Sequence, residues 1–95
     1  MLTGKQKRFL RALGHSLKPL IQIGKKELEE GLIAETSAAL ACHELVKVKL
    51  LESCLLDRHQ AAEELSEACN ADVAQILGKT FLLYRAAEKP TLVLP

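Results

Sequence analysis

The first segment of the chain places apolar and basic residues with the period of an α-helix. Its apolar residues share one stripe: Phe9, Leu10, Leu13 and Leu17. Thr3 and Gln6 have the spacing of a capping box before this stripe, and Gly14 closes the segment. The pattern predicts an amphipathic first helix that buries the apolar residues and leaves its basic residues in solvent.

The rest of the chain alternates between helical and extended periods. Helical spacing over residues 26–43 predicts a second helix, and the N-cap residue Asp57 opens a third that stops at Asn70. Apolar and alternating runs predict four strands, at residues 20–23, 46–50, 72–77 and 80–85. Gly78 and Lys79 separate the last two strands, which fits a two-residue hairpin with glycine first.

These elements follow the order α-β-α-β-α-β-β, and a chain of 95 residues fits one domain. Helices that alternate with short strands need a sheet that they can cover. We therefore expect an α/β (α+β) fold with a small mixed four-stranded sheet packed with helices. Residues 1–86 form the expected domain, and residues 87–95 form a tail that either packs locally or adds an edge strand.

Charge is unevenly distributed along the chain. Residues 1–26 hold seven basic groups and no acidic group, residues 27–72 hold eleven acidic against three basic groups, and residues 73–95 carry a net charge of +2. Such polarity suggests one face for a polyanion and another that keeps the molecule in solution, although a solvated charged helix gives a similar pattern. No apolar run reaches the roughly 18 residues that cross a bilayer.

Nothing in the sequence predicts catalysis. Cys42 and His43 are adjacent, and neighbours on a helix point in different directions, so they do not form a nucleophile–base pair. The spacing of cysteine and histidine supports no zinc site, and no nucleotide-binding motif is present. We expect no enzyme activity, metal, cofactor or small-molecule substrate. An odd number of cysteines without a secretory segment indicates the cytoplasm.

The junction of the first predicted strand with the second helix is the strongest local candidate for binding. Gly24 turns the chain, and Lys25 and Lys26 are expected at the mouth of the helix. A helix N-terminus presents unpaired N–H groups and partial positive charge, which suit a phosphate. The alternative is an ordinary strand-to-helix turn with solvated lysines.

Four segments in order resemble the bacterial YhbY proteins, which are stand-alone versions of the CRM (chloroplast RNA splicing and ribosome maturation) domain. They read LTGKQKRFLRAL at residues 2–13, KPLIQIGK at residues 18–25, HELVKVK at residues 43–49 and QILGKTFLLYR at residues 75–85. The resemblance covers residues 2–86. It implies a fold similar to the C-terminal domain of translation initiation factor three, RNA binding, and association with precursors of the large ribosomal subunit.

In the family that this chain resembles, the RNA-binding surface joins the basic first helix to a G-x-x-G loop. The loop corresponds here to Gly24-Lys25-Lys26-Glu27, with Glu27 in place of the second glycine. Since the carboxylate of Glu27 repels a phosphate, we expect weaker binding than with glycine.

The basic pattern and the resemblance together predict an RNA-binding set with phosphate contacts as its main interaction. Its members are Lys5, Lys7, Arg8, Arg11, Gly24, Lys25, Lys26, Lys47, Lys49 and Arg85. The expected partner is RNA, in particular ribosomal RNA, bound by a monomer without a membrane. Two alternatives stay open. The acidic helices could dock on a basic ribosomal protein, or residues 1–26 could be a targeting or membrane-surface segment.

Overall fold

The computed structural model describes residues 2–95 and has the predicted order of elements. The elements are α1 (Gly4–Gly14), β1 (Ile21–Ile23), α2 (Glu30–His43), β2 (Leu45–Leu50), α3 (Arg58–Ala68), β3 (Asp72–Leu77) and β4 (Thr80–Tyr84). No helix within residues 2–95 is both long enough and apolar enough to cross a membrane.

Local side-chain chemistry sets most helix ends where the sequence predicts them. The Thr3 hydroxyl accepts a hydrogen bond from the Gln6 N–H, and the Gln6 side chain accepts one from the Thr3 N–H, so the capping box of α1 is confirmed. The Asp57 carboxylate accepts from two amides of the first turn of α3. Asn70, with φ 54°, supplies the predicted left-handed stop.

The sheet has the strand order β1-β2-β4-β3. β1 pairs with β2 in parallel, and β4 is antiparallel to both β2 and β3. β1, β2 and β3 therefore run in one direction, with α2 and α3 as the connections between them, and the mixed four-stranded α+β fold is confirmed. β1 lies at one edge of the sheet, so the segment that follows it is open to solvent.

The sheet has a core on each face because side chains alternate along its strands. On one face, Val46 and Val48 of β2 pack in a cluster with Leu40 of α2 and Leu65 of α3. On the other face, α1 inserts Leu10 into a smaller cluster with these residues: Leu2, Leu45, Ala74, Leu82 and Tyr84. α1 therefore covers the part of its face near Leu45 and Leu82. Lys49 and Gln22, farther along the same face, are exposed.

Two predicted boundaries are wrong. α2 starts at Glu30, after the N-cap residue Glu29, and not near residue 26. Glu27 has a φ of 55°, and this left-handed conformation separates the preceding turn from the helix. The first strand starts at Ile21, and Leu20, predicted as part of a buried strand, is 53% exposed.

The C-terminal tail packs locally and does not add a strand. Leu92 and Leu94 pack against the cluster beneath α1. Glu44, between α2 and β2, is 1% exposed and holds the tail through its carboxylate. That carboxylate accepts hydrogen bonds from the Thr91 N–H and hydroxyl, both at 2.6 Å, and from the N–H groups of Leu92 and Ala87. The tail thus closes over a buried charge.

The hydrogen bonds between the tail and the Glu44 carboxylate make the attachment of the tail dependent on pH. The Thr91 hydroxyl and backbone bonds to the carboxylate lower the pKa of Glu44, although burial opposes this shift. Because folding stabilises the ionised form, the contribution of Glu44 to stability is complete above the ordinary glutamate pKa of 4.5. It is lost as the pH falls through the lower pKa of the folded state. We expect amide hydrogen exchange at Thr91 and Leu92, corrected for intrinsic rates, to accelerate over that range.

The control for this pH effect is Glu44→Gln, which keeps an acceptor oxygen and cannot titrate. The difference between wild type and Glu44→Gln isolates Glu44 from other carboxylates, such as the N-cap Asp57. An identical acid response of the tail amides in both proteins would contradict the assignment to Glu44.

Candidate nucleic-acid interface

The exposed side of α1 is the largest basic element of the molecule. Its four basic side chains are all exposed: Lys5, Lys7, Arg8 and Arg11. The first turn of α1 contains no acidic residue. Since Leu10 and Gly14 face the sheet, the basic side chains are left on the solvent side of the helix, as the sequence predicts.

Lys47 and Lys49 of β2 lie on the same face of the sheet as α1. They alternate with Val46 and Val48, which belong to the opposite core, so their side chains occupy the α1 face. The Lys47 ammonium donates a hydrogen bond to the Leu17 carbonyl at 3.3 Å, just beyond the end of α1. Lys47 thus connects the helix to the sheet.

Lys49 carries positive charge from β2 toward the edge of the sheet. It is exposed and lies in register with Gln22 of the edge strand β1, which is itself exposed. Gln22 is two residues before Gly24. The register therefore places Lys49 between the part of the sheet covered by α1 and the glycine turn.

The segment Gly24–Glu27 forms a tight turn, in which the Glu27 N–H donates to the Gly24 carbonyl at 3.0 Å. Lys25 and Lys26 occupy its tip and are exposed. The sequence predicts these lysines at the start of α2, and this prediction is wrong because the helix begins at Glu30. The N-terminus of α2 carries Glu29 and Glu30, and these carboxylates disfavour a phosphate there. The turn itself carries the lysines.

The two ends of this turn differ in what the backbone requires. Glu27 has a φ of 55°, a left-handed conformation that costs glutamate more conformational free energy than it costs glycine. Gly24 does not have a positive φ. A Cβ atom on Gly24 would meet the Ser53 Oγ at 3.4 Å and Leu51 at 3.5 Å, which are ordinary contacts. The fold therefore tolerates a side chain at Gly24, and a glycine there leaves the backbone accessible to a ligand.

Lys79 is a further basic residue at this end of the sheet, outside the predicted binding set, and it lines a cleft with Asp57 and Arg58 at the start of α3. It is exposed in the turn between β3 and β4, where Gly78 has the expected positive φ of 59°. The Lys79 carbonyl accepts from the Leu50 N–H at 2.7 Å, and the Leu51 N–H donates to the Ile23 carbonyl. These bonds connect the hairpin turn to the glycine turn through β2. The residue is therefore close to the glycine turn along the sheet but lies on the α3 side, apart from α1.

Arg85 is not brought to the α1 face, which corrects its inclusion in the predicted set. Its guanidinium donates to the Ser37 carbonyl at 2.7 Å, the Cys69 carbonyl at 2.8 Å and the Ser37 hydroxyl at 3.1 Å. It therefore ties the end of β4 to α2 and to the end of α3. All three of these partners are neutral oxygens, so the guanidinium is used in packing between elements.

The basic residues of the predicted set other than Arg85 define what we call the basic surface. It consists of Lys5, Lys7, Arg8, Arg11, Lys25, Lys26, Lys47 and Lys49. Within residues 2–95, no three His, Cys, Asp or Glu side chains are close enough to hold a metal ion. The α1 and β2 members of the basic surface share one face of the sheet, whereas Lys26 of the glycine turn lines a cleft with Gln60 and Glu64 of α3. The fold is a small α+β domain with a cationic α1 face that ends at the edge strand β1.

Comparison with known proteins identifies the family. The model of the CRS1 / YhbY (CRM) domain matches residues 2–85. The chain belongs to this family, which confirms the resemblance seen in its four sequence segments.

Two bacterial relatives match over most of their length. The chain is 39% identical over 89 residues to a Bacillus subtilis protein named Probable RNA-binding protein YqeI, covering 94% of this chain and 93% of that protein. It is 40% identical to Probable RNA-binding protein PA4753 of Pseudomonas aeruginosa, covering 94% of this chain and 86% of the relative. The solution structure of SAV1595 from Staphylococcus aureus superposes with a TM-score of 0.84 at 41% identity, and the match covers both chains completely.

Proposed function

We propose that this protein binds RNA through sequence-tolerant contacts between the basic surface and the sugar–phosphate backbone. The observation that carries the proposal is the placement of α1 and the lysines of β2 on one face of the sheet, continuous by strand register with the glycine turn. The names of the relatives as RNA-binding proteins support it. A row of cations on an open face suits a polyanion that extends across several elements.

The side chains available favour recognition of shape and backbone over recognition of bases. Proteins that stack bases use exposed aromatic rings. Phe81 is 0% exposed and Tyr84 is 6% exposed, and Phe9 is partly buried against the core beneath α1. The arginines of α1 can each donate two hydrogen bonds to one phosphate, and the lysines act as point charges.

Replacing Glu27 by glycine is expected to strengthen RNA binding. The change removes a carboxylate beside Lys25 and Lys26 and relieves a left-handed conformation that glutamate adopts at a cost. We expect affinity to rise roughly two- to fivefold, the range of one exposed charge interaction. Titration of a labelled single-stranded RNA, followed by fluorescence anisotropy, measures this change.

Glu27→Ala is the matched control, because it removes the charge and keeps the Cβ atom. Equal affinities of the alanine and glycine variants would assign the effect to charge, and a further gain with glycine would assign the rest to the backbone. We also expect the glycine variant to be more stable than the alanine variant by up to about 1 kcal/mol. No gain in affinity for either variant would contradict the role of the turn.

We further propose that the RNA is ribosomal RNA in precursors of the large ribosomal subunit, bound in the cytoplasm by a monomer that assists assembly. Family membership supports this more specific reading. Sedimentation of cell extract tests it, with the protein expected among large-subunit precursors and displaced by charge reversal on the basic surface.

The alternative is docking through acidic helices, and the same sedimentation experiment separates the two. The exposed glutamates of α3 provide the matched variant: Glu63, Glu64 and Glu67. If reversing them, and not the basic surface, releases the protein from ribosomal particles, the molecule is a protein-interaction module. Sedimentation away from all ribosomal particles would overturn the assembly role while leaving RNA binding in solution to be measured separately.

A further inference from the structure

A second candidate site lies beside the basic surface, where several leucines remain in contact with solvent. Leu13 and Leu17 continue the apolar stripe of α1, yet each is 37% exposed. Leu20, which the sequence assigns to a buried strand, is 53% exposed. A cluster of accessible apolar side chains on a small protein marks an interaction site more often than isolated ones do.

These leucines surround a cleft of about 480 Å³ that we call the leucine cleft. Its walls come from the end of α1, the connection to β1, the start of β2 and the tail. Its apolar lining consists of Leu13, Leu17, Leu20, Leu45 and Leu92. Leu92 is held in place because its N–H donates to the buried Glu44 carboxylate at 3.2 Å. The tail therefore builds one wall, and the cleft is preformed.

The polar residues of the leucine cleft are cationic or neutral. Lys18, Lys47 and His43 line it, and among residues 2–95 no carboxylate does. Lys47 is further oriented toward the cleft by its hydrogen bond to the Leu17 carbonyl. An occupant that complements this lining carries apolar side chains together with negative charge.

The lining also discriminates between classes of occupant. None of the chain's Phe and Tyr rings lines the cleft, and its one imidazole, of His43, is a small platform for a base. Sites for small molecules enclose most of their ligand, whereas three of the lining leucines are more than a third exposed. An amphipathic protein segment needs only an apolar groove with a complementary charged rim.

We propose that the leucine cleft docks an acidic, leucine-bearing segment of a partner protein. The site goes beyond RNA binding and does not depend on it. Because Lys47 belongs to both the cleft and the basic surface, the two sites adjoin, and the domain can hold RNA and a protein partner side by side.

The test uses the full chain and a fluorescein-labelled helical peptide with leucines at positions i, i+3, i+4 and i+7 and glutamates elsewhere. A peptide with lysines in place of the glutamates is the charge control. We expect the glutamate peptide to bind with a Kd of about 1–100 μM, and the lysine peptide to bind at least about tenfold more weakly. Amide resonances of Leu17, Leu20 and Leu92 should shift on binding of the glutamate peptide.

Leu20→Asp is the informative variant, and Leu55→Asp is its matched control. Leu55 is 89% exposed in the connection before α3 and does not line the cleft. We expect Leu20→Asp to weaken peptide binding at least about tenfold and RNA binding no more than about fivefold, because its carboxylate lies beside Lys47. Leu55→Asp is expected to leave peptide binding unchanged. Both sites are exposed, so both variants are expected to fold.

Several results would overturn the proposal. They are equal binding of the two peptides, no binding of the glutamate peptide at about 1 mM, and amide shifts that map away from the cleft. Displacement of the glutamate peptide by single-stranded RNA would assign the cleft to the RNA interface instead. Concentration-dependent dimerisation that Leu20→Asp abolishes would identify the occupant as a second copy of the chain.

Discussion

The double variant Arg8→Glu/Lys25→Glu is expected to bind RNA about a hundredfold more weakly than wild type at roughly 0.1 M salt. It removes one cation from α1 and one from the glycine turn and places a negative charge at each position. If both elements contact the same RNA, two favourable phosphate contacts become repulsive. Anisotropy titration with a labelled single-stranded RNA measures the loss.

The salt dependence of RNA binding independently tests whether this interface uses phosphate contacts. About five phosphate contacts on a single strand predict a slope of about −3.5 in log affinity against log salt, which is roughly a hundredfold loss between 50 and 200 mM. The double variant, with two contacts fewer, should show a slope near −2 by the same rule. A flat salt response of the wild type would contradict binding through phosphate contacts.

Lys89→Glu is the matched control for the two single reversals, Arg8→Glu and Lys25→Glu. It changes the net charge by the same amount, and Lys89 is an exposed residue of the tail outside the basic surface. We expect it to lower affinity less than about twofold through the general field alone. Equal losses in all three single variants would indicate an effect of net charge and would contradict a defined interface.

Gly14→Val is expected to lower the free energy of unfolding by about 2–3 kcal/mol, although valine is a better helix former than glycine. Gly14 is the last residue of α1 and is buried against β4. A Cβ atom there would lie only 2.8 Å from the Leu82 Cδ2 and 3.1 Å from its Cγ. Leu82 is itself 2% exposed and has no free space to enter. The helix must therefore move away from the sheet.

Thermal unfolding followed by circular dichroism measures this effect. The loss corresponds to a fall in Tm of about 10–20 °C for a domain of this size. Gly31→Val in α2 is the matched control, since Gly31 is exposed and a Cβ there meets nothing within 4 Å. We expect that variant to stay within about 0.5 kcal/mol of wild type. Equal stabilities of the two valine variants would contradict close packing of α1 on the sheet.

The parts of the fold that sequence reasoning predicts correctly depend on neighbours in the chain. The capping box of Thr3 and Gln6, the Asp57 cap and the Asn70 stop all use groups within a few residues of one another. The order of elements follows from hydrophobic periods of the same local kind. The sheet class follows as well, because alternating helices and short strands have few ways to bury their apolar faces.

The errors occur where distant contacts or a special backbone conformation override the local pattern. Leu20 reads as a buried strand residue, and its N–H does bond to the Lys47 carbonyl of β2, but its side chain alternates with the buried Ile21 and stays 53% exposed. The local pattern predicts that Glu27 lies in the first turn of the helix, where its charge is favourable. In the structure Glu27 is left-handed, so the helix begins only at Glu30. Arg85 reads as a free cation, whereas two backbone carbonyls from distant segments hold it.

By itself the sequence determined the helices and strands, the fold class, and the concentration of positive charge in the first helix and the glycine turn, because each depends on short-range spacing. Only the tertiary structure decided that Lys47 and Lys49 share the face of α1, that Arg85 does not join them, and that Glu44 clamps the tail. It also decided which leucines stay uncovered. These outcomes depend on strand register and on packing between segments far apart in the chain, which no local period encodes.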